Sequence, residues 1–474
     1  MIKIYFLLAI LALLPGALPA AEQEAYPWKA GMASVVITPT EAVWMAGYAG
    51  RKEPKEKVIQ DLHAKALAIE DTEGGRFVVV TLDLIGVSKK MRLAIEAAME
   101  KEHGLVPGSL LLNASHTHSG PNIKTYRSKG GKGEERVGYS RIPQEDQELY
   151  VKRTKDYLVF LHAKIGEAIG KAIRGLSPAK LVWHRARCGF SMNRRTPVEG
   201  GNFRNFPNPE GPVDQDVPVL RVADAEGELV GVLFGYACHA TTMGTQEMHG
   251  DWPGYAQQYF EEDHPGAVAM FVNGCSGDQN PYPRRMQYFM ERHGRSMAMA
   301  IEAALETVPR AVVGPVSSEI AWVDIPYAGP PTIAELGERI EATSGAEKAY
   351  AEFLLEELEA RGSLPVSYPV PVQVARFGDS LTLVAIGGEV TVDYSLRLKR
   401  EIGESTGAPV WVAGYSNDVM SYIPSDRVLR EGGYEGKTSM YYSRSDLHSG
   451  SWAEGIEERL VEAAHALVRK TSGE

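Results

Sequence analysis

The chain has 474 residues, of which 44% are hydrophobic and 23% are charged, and its formal net charge is −11. These proportions are ordinary for a globular protein, and the chain is long enough to bury a large core. The negative charge argues against nucleic acid as a partner.

The first 21 residues have the pattern of a secretory signal peptide. A single positive charge at Lys3 precedes an apolar run over residues 4–14, and small residues follow as far as Ala21. This pattern predicts cleavage near Ala20 or Ala21 and a secreted or periplasmic protein. The apolar run is short for a bilayer and no later stretch is long enough, so we expect no transmembrane span and at most peripheral contact with a membrane.

The N-terminal third alternates strand and helix patterns. Strands are predicted over residues 30–39, 63–69 and 77–82, followed by an amphipathic helix over residues 89–103 and a buried strand at residues 110–112. The last strand, the helix and the strand before it form a predicted βαβ unit. The apolar side chains expected on one face of the helix are Met91, Leu93, Ile95 and Met99.

The remaining elements continue the same alternation without a break in composition. A loop rich in glycine, lysine and arginine is predicted over residues 130–141. We found no repeat and no low-complexity linker, so we predict one large α/β catalytic domain over residues 22–474, with mixed sheets flanked by helices and the active site at strand ends. The predicted strands cover residues 181–187, 217–222, 229–237, 267–272, 381–386 and 410–413. The predicted helices cover residues 144–174, 284–308, 331–361 and 451–469.

The three cysteines do not form a metal-binding pattern among themselves. An odd number of cysteines in an exported protein leaves at least one thiol unpaired. We therefore expect Cys188, Cys238 and Cys275 to be small buried residues.

Polar side chains follow several predicted strands at the point where each strand ends. His116 and His118 come just after the strand at residues 110–112, and in an extended segment their side chains would point the same way. One imidazole could bind a metal while the other donates or orients a proton; the alternative is two surface histidines in a polar turn. Other strands end near His239, Asp278, Glu389 and residues 417–422.

Two histidines and a carboxylate are the ligands that zinc needs, with an open position for water. Such an ion lowers the pKa of its water and polarises a carbonyl. The chain contains no His-Glu-x-x-His helix, so the ligands would have to come from distant strand ends. Each single histidine is more often structural than a ligand.

Residues 115–121, Ser-His-Thr-His-Ser-Gly-Pro, resemble the histidine signature of the neutral/alkaline non-lysosomal ceramidase family. Five further segments resemble that family in the same order, and the interval of twelve between the two tyrosines of the last one is kept. These segments are residues 37–39 with 45–49, Asn193-Arg194, His239 with 250–256, Gly388-Glu389, and Tyr422-Ile423 with Tyr434-Glu435-Gly436.

The resemblance implies a zinc amidohydrolase that cleaves ceramide to sphingosine and fatty acid, so that its partner is a small-molecule or lipid amide. It implies that Zn²⁺ is bound by His116, His239, Glu389 and Tyr422.

The resemblance also implies that His118, Arg194 and Tyr434 surround the scissile amide. Water bound to the zinc would attack the amide carbon, and Arg194 or Tyr434 could hydrogen-bond the developing oxyanion. His118 could pass a proton to the leaving nitrogen. The simpler alternatives are two buried tyrosines at positions 422 and 434 and a surface ion pair at Arg194, beside which Arg195 is a second candidate.

The chain departs from the family pattern in two ways. The family's Gly-Asp-Val-Ser-Pro segment is Gly-Asp-Gln-Asn-Pro here, so Asn280 replaces the serine that the family uses in catalysis. An amide cannot act as a nucleophile, although it can donate hydrogen bonds. The C-terminal immunoglobulin-like domain of the family is also expected to be absent.

Two other functions therefore compete with ceramide hydrolysis. The first keeps the zinc site and the fold but cleaves another amide or an ester, such as an N-acyl lipid or an acylated sugar, and Asn280 favours it. The second is a non-catalytic homologue that binds a lipid or a glycan. Retention of all the implied zinc ligands argues against the second.

Overall fold

The computed structural model of the protein describes residues 28–138 and 142–473. The predicted signal peptide at residues 1–21 and the last residues of the predicted loop at 130–141 lie outside the described residues. The described chain forms mixed sheets flanked by helices in a single large domain, which confirms the predicted fold class.

The largest sheet has nine strands, and a second sheet has four. The first has the order β14-β12-β11-β8-β1-β3-β4-β5 with β16 beside β8, and the second has the order β17-β18-β19-β21. The strands are β1 (Trp28–Val36), β2 (Lys57–Val58), β3 (His63–Asp71), β4 (Arg76–Leu82), β5 (Leu110–Ala114), β6 (Thr125–Arg127), β7 (Glu135–Val137), β8 (Ser177–Arg187), β9 (Ser191–Val198), β10 (Asn202–Asn208), β11 (Asp216–Ala223), β12 (Leu229–Tyr236), β13 (Glu247–Met248), β14 (Val268–Asn273), β15 (Gln279–Pro281), β16 (Arg310–Val312), β17 (Val316–Pro326), β18 (Ser367–Phe377), β19 (Leu381–Ile386), β20 (Glu389–Val390), β21 (Val410–Ala413) and β22 (Tyr422–Ile423).

The helices cover the outer faces of the two sheets. None of the helices within the described residues is long and apolar enough to cross a bilayer. The helices are α1 (Lys89–His103), α2 (Gln147–Arg174), α3 (Asp251–Asp263), α4 (Gln287–Leu305), α5 (Ile333–Ala342), α6 (Gly345–Arg361), α7 (Val392–Thr406), α8 (Asp426–Glu431), α9 (Gly433–Gly436) and α10 (Ile456–Ser472).

The two large sheets pack face to face. One apolar cluster contains Leu67 and Leu233 from the nine-stranded sheet together with Leu383 and Trp411 from the four-stranded sheet. Helices α1 and α2 pack with the half of the large sheet that contains β4 and β5, α3 and α4 pack with the half that contains β12 and β14, and α7 and α10 pack with the smaller sheet. The core therefore has four layers, with the sheets inside and the helices outside.

Within the two large sheets of the described chain, three pairs of neighbouring strands are parallel, and each pair is joined by a crossover helix. Strands β4 and β5 are parallel and joined through α1, which confirms the predicted βαβ unit. Strands β12 and β14 are joined through α3, and β19 and β21 are joined through α7. The carboxyl ends of parallel strands are where α/β sheets place ligand sites.

Several elements differ from the sequence prediction. Helix α3 was not predicted, because Pro253 and Gly254 lie in its first turn, where they are tolerated although they disfavour a helix interior. The helix predicted over residues 331–361 is two helices, α5 and α6, separated by residues 343–344. Gly345, the first residue of α6, has φ +64°. The antiparallel pair of β17 and β18, which flank α5 and α6 along the chain, was also not predicted. All three cysteines are buried and unpaired, as expected.

Helix α1 begins and ends as its sequence predicts, but one residue of its predicted face is wrong. Ser88 caps the amino end by accepting from the Met91 backbone, and Gly104 ends the helix with φ +67°. Met91, Ile95 and Met99 are buried, whereas Leu93 is 43% exposed. Two residues correspond to about 200° around a helix, so Leu93 lies on the side opposite Met91. Arg92 takes the buried place and donates from Nε to Asn417 Oδ1 at 3.0 Å.

We expect Ile95→Ala to lower the free energy of unfolding by about 2–4 kcal/mol, because it removes a buried side chain and leaves a cavity. Leu93→Ala is the matched control on the same helix and should change it by less than about 0.5 kcal/mol. Urea unfolding followed by tryptophan fluorescence measures both. Equal destabilisation by the two substitutions would contradict the assignment of the buried face.

Candidate metal centre and surrounding cavity

A buried amide joins the carboxyl ends of three strands. Asn113 of β5 donates from Nδ2 to the Gly414 carbonyl just after β21 at 2.8 Å, and its Oδ1 accepts from the Asn273 backbone at the end of β14 at 2.8 Å. The loops that follow these strands therefore start from one place. The loops after β5, β14 and β21 carry His116, Ser276 and Asn417, respectively.

The chain turns sharply at His116. Its φ is +60°, which is the left-handed region and not the extended conformation that the sequence suggested. Histidine is among the few residues other than glycine that visit this region with any frequency. The expectation that the alternation of an extended strand would align His116 with His118 is therefore wrong. The two rings still meet, with 3.1 Å between their Nε2 atoms, because the turn brings them together.

The four residues predicted as zinc ligands lie in contact with one another. Glu389 Oε2 is 3.1 Å from His116 Nε2 and 3.3 Å from His239 Nε2. Tyr422 contributes its hydroxyl, which is 3.3 Å from His239 Nε2. Glu389 and Tyr422 are paired in the short parallel strands β20 and β22, so their backbones fix the two side chains side by side.

Hydrogen bonds behind the rings orient both imidazoles. His116 Nδ1 is 2.6 Å from the Ile85 carbonyl, and His239 Nδ1 is 2.6 Å from the Ser276 carbonyl. A carbonyl only accepts, so each Nδ1 carries the hydrogen and each Nε2 presents a lone pair. Burial and the charge of Arg194 lower the pKa of His239 to about 3, which keeps that ring neutral.

The carboxylate completes an arrangement that fits a cation. Glu389 Oε2 is buried and has no hydrogen-bond donor among the described residues. Two lone pairs and a carboxylate oxygen thus face each other without a proton between them. Two nitrogens, a carboxylate and a phenol oxygen suit zinc or a similar divalent ion.

His118 lies beside this cluster. Ligand atoms of His116, His118 and His239 lie within 4.8 Å of one another, so His118 could also contact a metal. Unlike the other two rings, its Nδ1 is buried with no hydrogen-bond partner in the described chain, so no second contact fixes its tautomer. Burial and the two neighbouring histidines hold the pKa of His118 well below its ordinary value. A neutral ring with a free nitrogen suits proton transfer.

Arg194 is buried behind Tyr422 and is not a surface residue. It donates from Nη2 to the Tyr422 hydroxyl at 2.8 Å and from Nε to Glu435 Oε1 at 2.8 Å. Arg195 points to the other oxygen of Glu435, at 2.7 Å, and to Glu431. Burial opposes the charge of Arg194, but Tyr422 and Glu435 raise its pKa well above the ordinary value. Of the two adjacent arginines, Arg194 is the one that contacts the cluster.

Asn280 forms a hydrogen bond with Nη1, the remaining nitrogen of the Arg194 guanidinium. Its Oδ1 accepts from Arg194 Nη1 at 3.2 Å and from the Thr241 hydroxyl at 3.2 Å. Its Nδ2 donates to Asn205 Oδ1 at 3.0 Å. The side chain is fully buried, so its contacts are with the protein. This placement makes Asn280 a positioning residue for Arg194.

Tyr434 differs from Tyr422 in its exposure. Tyr422 is 5% exposed, whereas Tyr434 is 39% exposed and packs edge-on against the Tyr422 ring at 5.4 Å between centroids. Burial of its hydroxyl and the charge of Glu389 raise the pKa of Tyr434, so the phenol keeps its proton. The alternative of two buried tyrosines therefore applies only to Tyr422.

A cavity of about 550 Å³ opens onto the cluster. His116, His118, Glu389, Tyr422 and Tyr434 line it, and the rest of its wall comes largely from residues 45–50, 419–421 and 442–446. This volume is in the range of small-molecule sites. Neither Arg194 nor Asn280 is among the lining residues, which agrees with their place behind Tyr422.

Glu435 is the residue whose role the sequence did not reveal. Its carboxylate bridges Arg194 and Arg195 in a fully buried pair of contacts. Two adjacent arginines in a buried strand need a carboxylate partner, so the Arg194-Arg195 pair in the sequence indicates that such a partner exists. About 240 residues separate them along the chain, so only the fold identifies which carboxylate it is.

The chain is similar in sequence to known proteins. Residues 28–284, more than half of the chain, match the family model described as neutral/alkaline non-lysosomal ceramidase, N-terminal. The chain is 24% identical over 531 residues to the neutral ceramidase of Pseudomonas aeruginosa, covering 97% of this chain and 75% of that protein. It is 24% identical to neutral ceramidase A of Dictyostelium discoideum over 47% of this chain and 31% of that protein.

Two solved structures have a similar fold. The crystal structure of neutral ceramidase from Pseudomonas aeruginosa superposes with a TM-score of 0.69 at 21% identity, covering 94% of this chain and 74% of that chain. A ceramidase complexed with C2 superposes with a TM-score of 0.68 at 20% identity, covering 94% and 75%.

We expect Glu389→Gln to lower the affinity for Zn²⁺ by at least about tenfold, because the substitution removes the one anionic side chain of the cluster while keeping its shape. Competition with a chromophoric chelator measures the affinity. Glu401→Gln, which removes a half-buried carboxylate paired with Arg397, should keep the wild-type affinity. Equal affinity in the Glu389 variant and the wild type would remove Glu389 from the ligand set.

Proposed function

The chain belongs to the neutral/alkaline non-lysosomal ceramidase family, and from this premise we propose that it is a secreted zinc-dependent amidohydrolase. In this proposal residues 1–21 direct export, and the enzyme hydrolyses an N-acyl amide such as ceramide to an amine and a fatty acid. The observation that carries the proposal is the convergence of three side chains, in which Glu389 Oε2 lies 3.1 Å from His116 Nε2 and 3.3 Å from His239 Nε2. The residues that would hold Zn²⁺ are His116, His239, Glu389 and Tyr422.

Zinc, when bound there, supplies a Lewis acid for the amide carbonyl and lowers the pKa of a bound water. The surrounding residues orient and move protons. His118, neutral and facing the cavity, can take up a proton and give it to the leaving nitrogen. Transfer of that proton is needed because a neutral amine is a far better leaving group than a deprotonated amine.

Tyr434 is the donor best placed for the developing negative charge on the amide oxygen. It is protonated, partly exposed and part of the cavity wall. A donor that is already in place stabilises the transition state without reorganising. Arg194 acts from behind: its hydrogen bond holds the Tyr422 oxygen towards the cluster, and Glu435 and Asn280 hold Arg194.

Hydrolysis of a different amide or an ester by the same site is the second candidate. Asn280 stands where the family has a serine, and its polar atoms are engaged by Arg194, Thr241 and Asn205. The Asn280 amide, held by these hydrogen bonds, cannot act as a nucleophile. The cavity wall also carries charged residues, Lys124 and Asp446 among them, which favours a more polar substrate than a lipid with two long chains.

A panel of N-acyl substrates tests the proposed function. We expect the Zn²⁺-loaded protein to release fatty acid from ceramide or from another N-acylated amine, measured by liquid chromatography and mass spectrometry. Glu389→Gln should reduce the rate to background in the same assay. Stoichiometric zinc without turnover of any member of the panel would favour the non-catalytic binding protein, and turnover of another amide without ceramide would favour the second candidate.

We expect Arg194→Lys to lower kcat/KM by about 10- to 100-fold, since lysine cannot reproduce three hydrogen bonds in fixed directions. Arg195→Lys is the neighbouring control, which keeps a cation beside Glu435 but does not touch Tyr422, and its loss should be smaller. Steady-state kinetics with matched zinc content compare them. A larger loss in the Arg195 variant would reverse the assignment of the two arginines.

A further inference from the structure

The cavity has a second polar region that the chemistry above does not use. Lys124, from the loop after β5, and Asp446, from the segment before α10, both line the cavity. Their side chains form an ion pair with 2.8 Å between Lys124 Nζ and Asp446 Oδ2. Both are largely shielded from solvent, with side-chain exposures of 20% and 12%. The pair therefore lies within the wall of the site and not on the outer surface.

Both members of the pair retain hydrogen-bonding capacity. An ammonium has three donors, and Lys124 Nζ uses two of them, on the Val419 carbonyl at 2.8 Å and on Asp446. Asp446 Oδ2 accepts from Lys124 and from the Ser445 hydroxyl, while no residue in the described ranges donates to Oδ1. One donor and one acceptor thus remain side by side.

Charges around Lys124 keep it cationic. Burial acts to lower the pKa of Lys124, but the carboxylates of Asp446, Asp418 and Glu389 outweigh it and raise that pKa above its ordinary value. The pair and the metal-ligand cluster line the same cavity. A bound molecule can therefore contact both.

The chemistry beside the pair is that of hydroxyl groups. Ser439, Ser443 and Ser445 line the same cavity, and the Ser445 hydroxyl donates to Asp446 Oδ2 at 2.9 Å. An alkyl chain placed there would cover charged and hydroxyl groups without replacing their bonds to water, which is unfavourable. A hydroxyl group both accepts and donates, so it can bond the ammonium and the carboxylate together.

We propose that Lys124 and Asp446 bind hydroxyl groups on the amine half of an N-acylated substrate. This inference rests on the proposed amidase function and narrows its substrate class to amides whose nitrogen-bearing half carries neighbouring hydroxyls. An amino sugar and a sphingoid base share this chemistry. The Lys124–Asp446 pair then determines specificity, while the metal-ligand cluster carries out the cleavage.

Three substrates with one common acyl chain test the proposal: an N-acylated hexosamine, an N-acylated sphingoid base and an N-acylated alkylamine without hydroxyls. We expect the wild type to prefer at least one hydroxylated substrate over the alkylamine by about tenfold or more in kcat/KM, since hydrogen bonds to charged groups discriminate strongly. Lys124→Met and the isosteric Asp446→Asn should each reduce this preference by about tenfold, chiefly through KM. The hydroxylated substrate with the greater preference identifies the source of the hydroxyls.

Lys164→Met is the matched control, because Lys164 pairs with Glu167 on α2 away from the cavity. It should keep the wild-type preference. Thermal unfolding of each variant checks the fold, and Asp446→Asn preserves the shape of the side chain if Lys124→Met destabilises the loop. Equal losses on all three substrates, or no change in preference, would overturn the proposal.

Failure of the proposed function is distinguishable from failure of this inference. If the wild type cleaves none of the substrates, isothermal titration with free hexosamine and with a short-chain sphingoid base still tests the pair. Binding to the wild type that Asp446→Asn weakens by about tenfold would support it. Absence of binding of both amines to the wild type would reject it.

Discussion

The side-chain amide of Asn113 is the interaction on which the site depends. It joins β5 to β14 of the large sheet and to the residue that follows β21 of the smaller sheet. The two edge strands of the large sheet and an edge strand of the smaller sheet would otherwise end separately, each with unpaired backbone groups. A buried amide that satisfies both a donor and an acceptor removes that cost and fixes the three ends together. The segments that lead to His116 and to Tyr422 start from this junction.

The ligand cluster illustrates how a fold keeps unfavourable groups close. Two imidazole lone pairs and a carboxylate oxygen facing each other repel, and the backbone carbonyls of Ile85 and Ser276 hold the rings in place against that repulsion. A cation at this position would offset the repulsion without any movement of the side chains, so the arrangement favours cation binding. The left-handed backbone conformation at His116 is a further unfavourable feature that the fold maintains at this site.

Behind the cluster, buried charge is balanced locally. Glu435 lies between Arg194 and Arg195, and Asn280 takes the remaining corner of Arg194. Removing one member of such a group leaves another charge unpaired in the interior, which is more costly than the pair is worth.

The sequence by itself determined the α/β class, the βαβ unit around α1, most of the strands that lead to the site, and the family, because apolar periodicity and short motifs are local properties. It also predicted the four candidate ligands through resemblance, and the structure brings them together. Only the tertiary structure decided which side of α1 is buried, which of the two arginines contacts Tyr422, and that Tyr434 is partly exposed while Tyr422 is buried. Those outcomes depend on partners hundreds of residues away, and no local pattern contains that information.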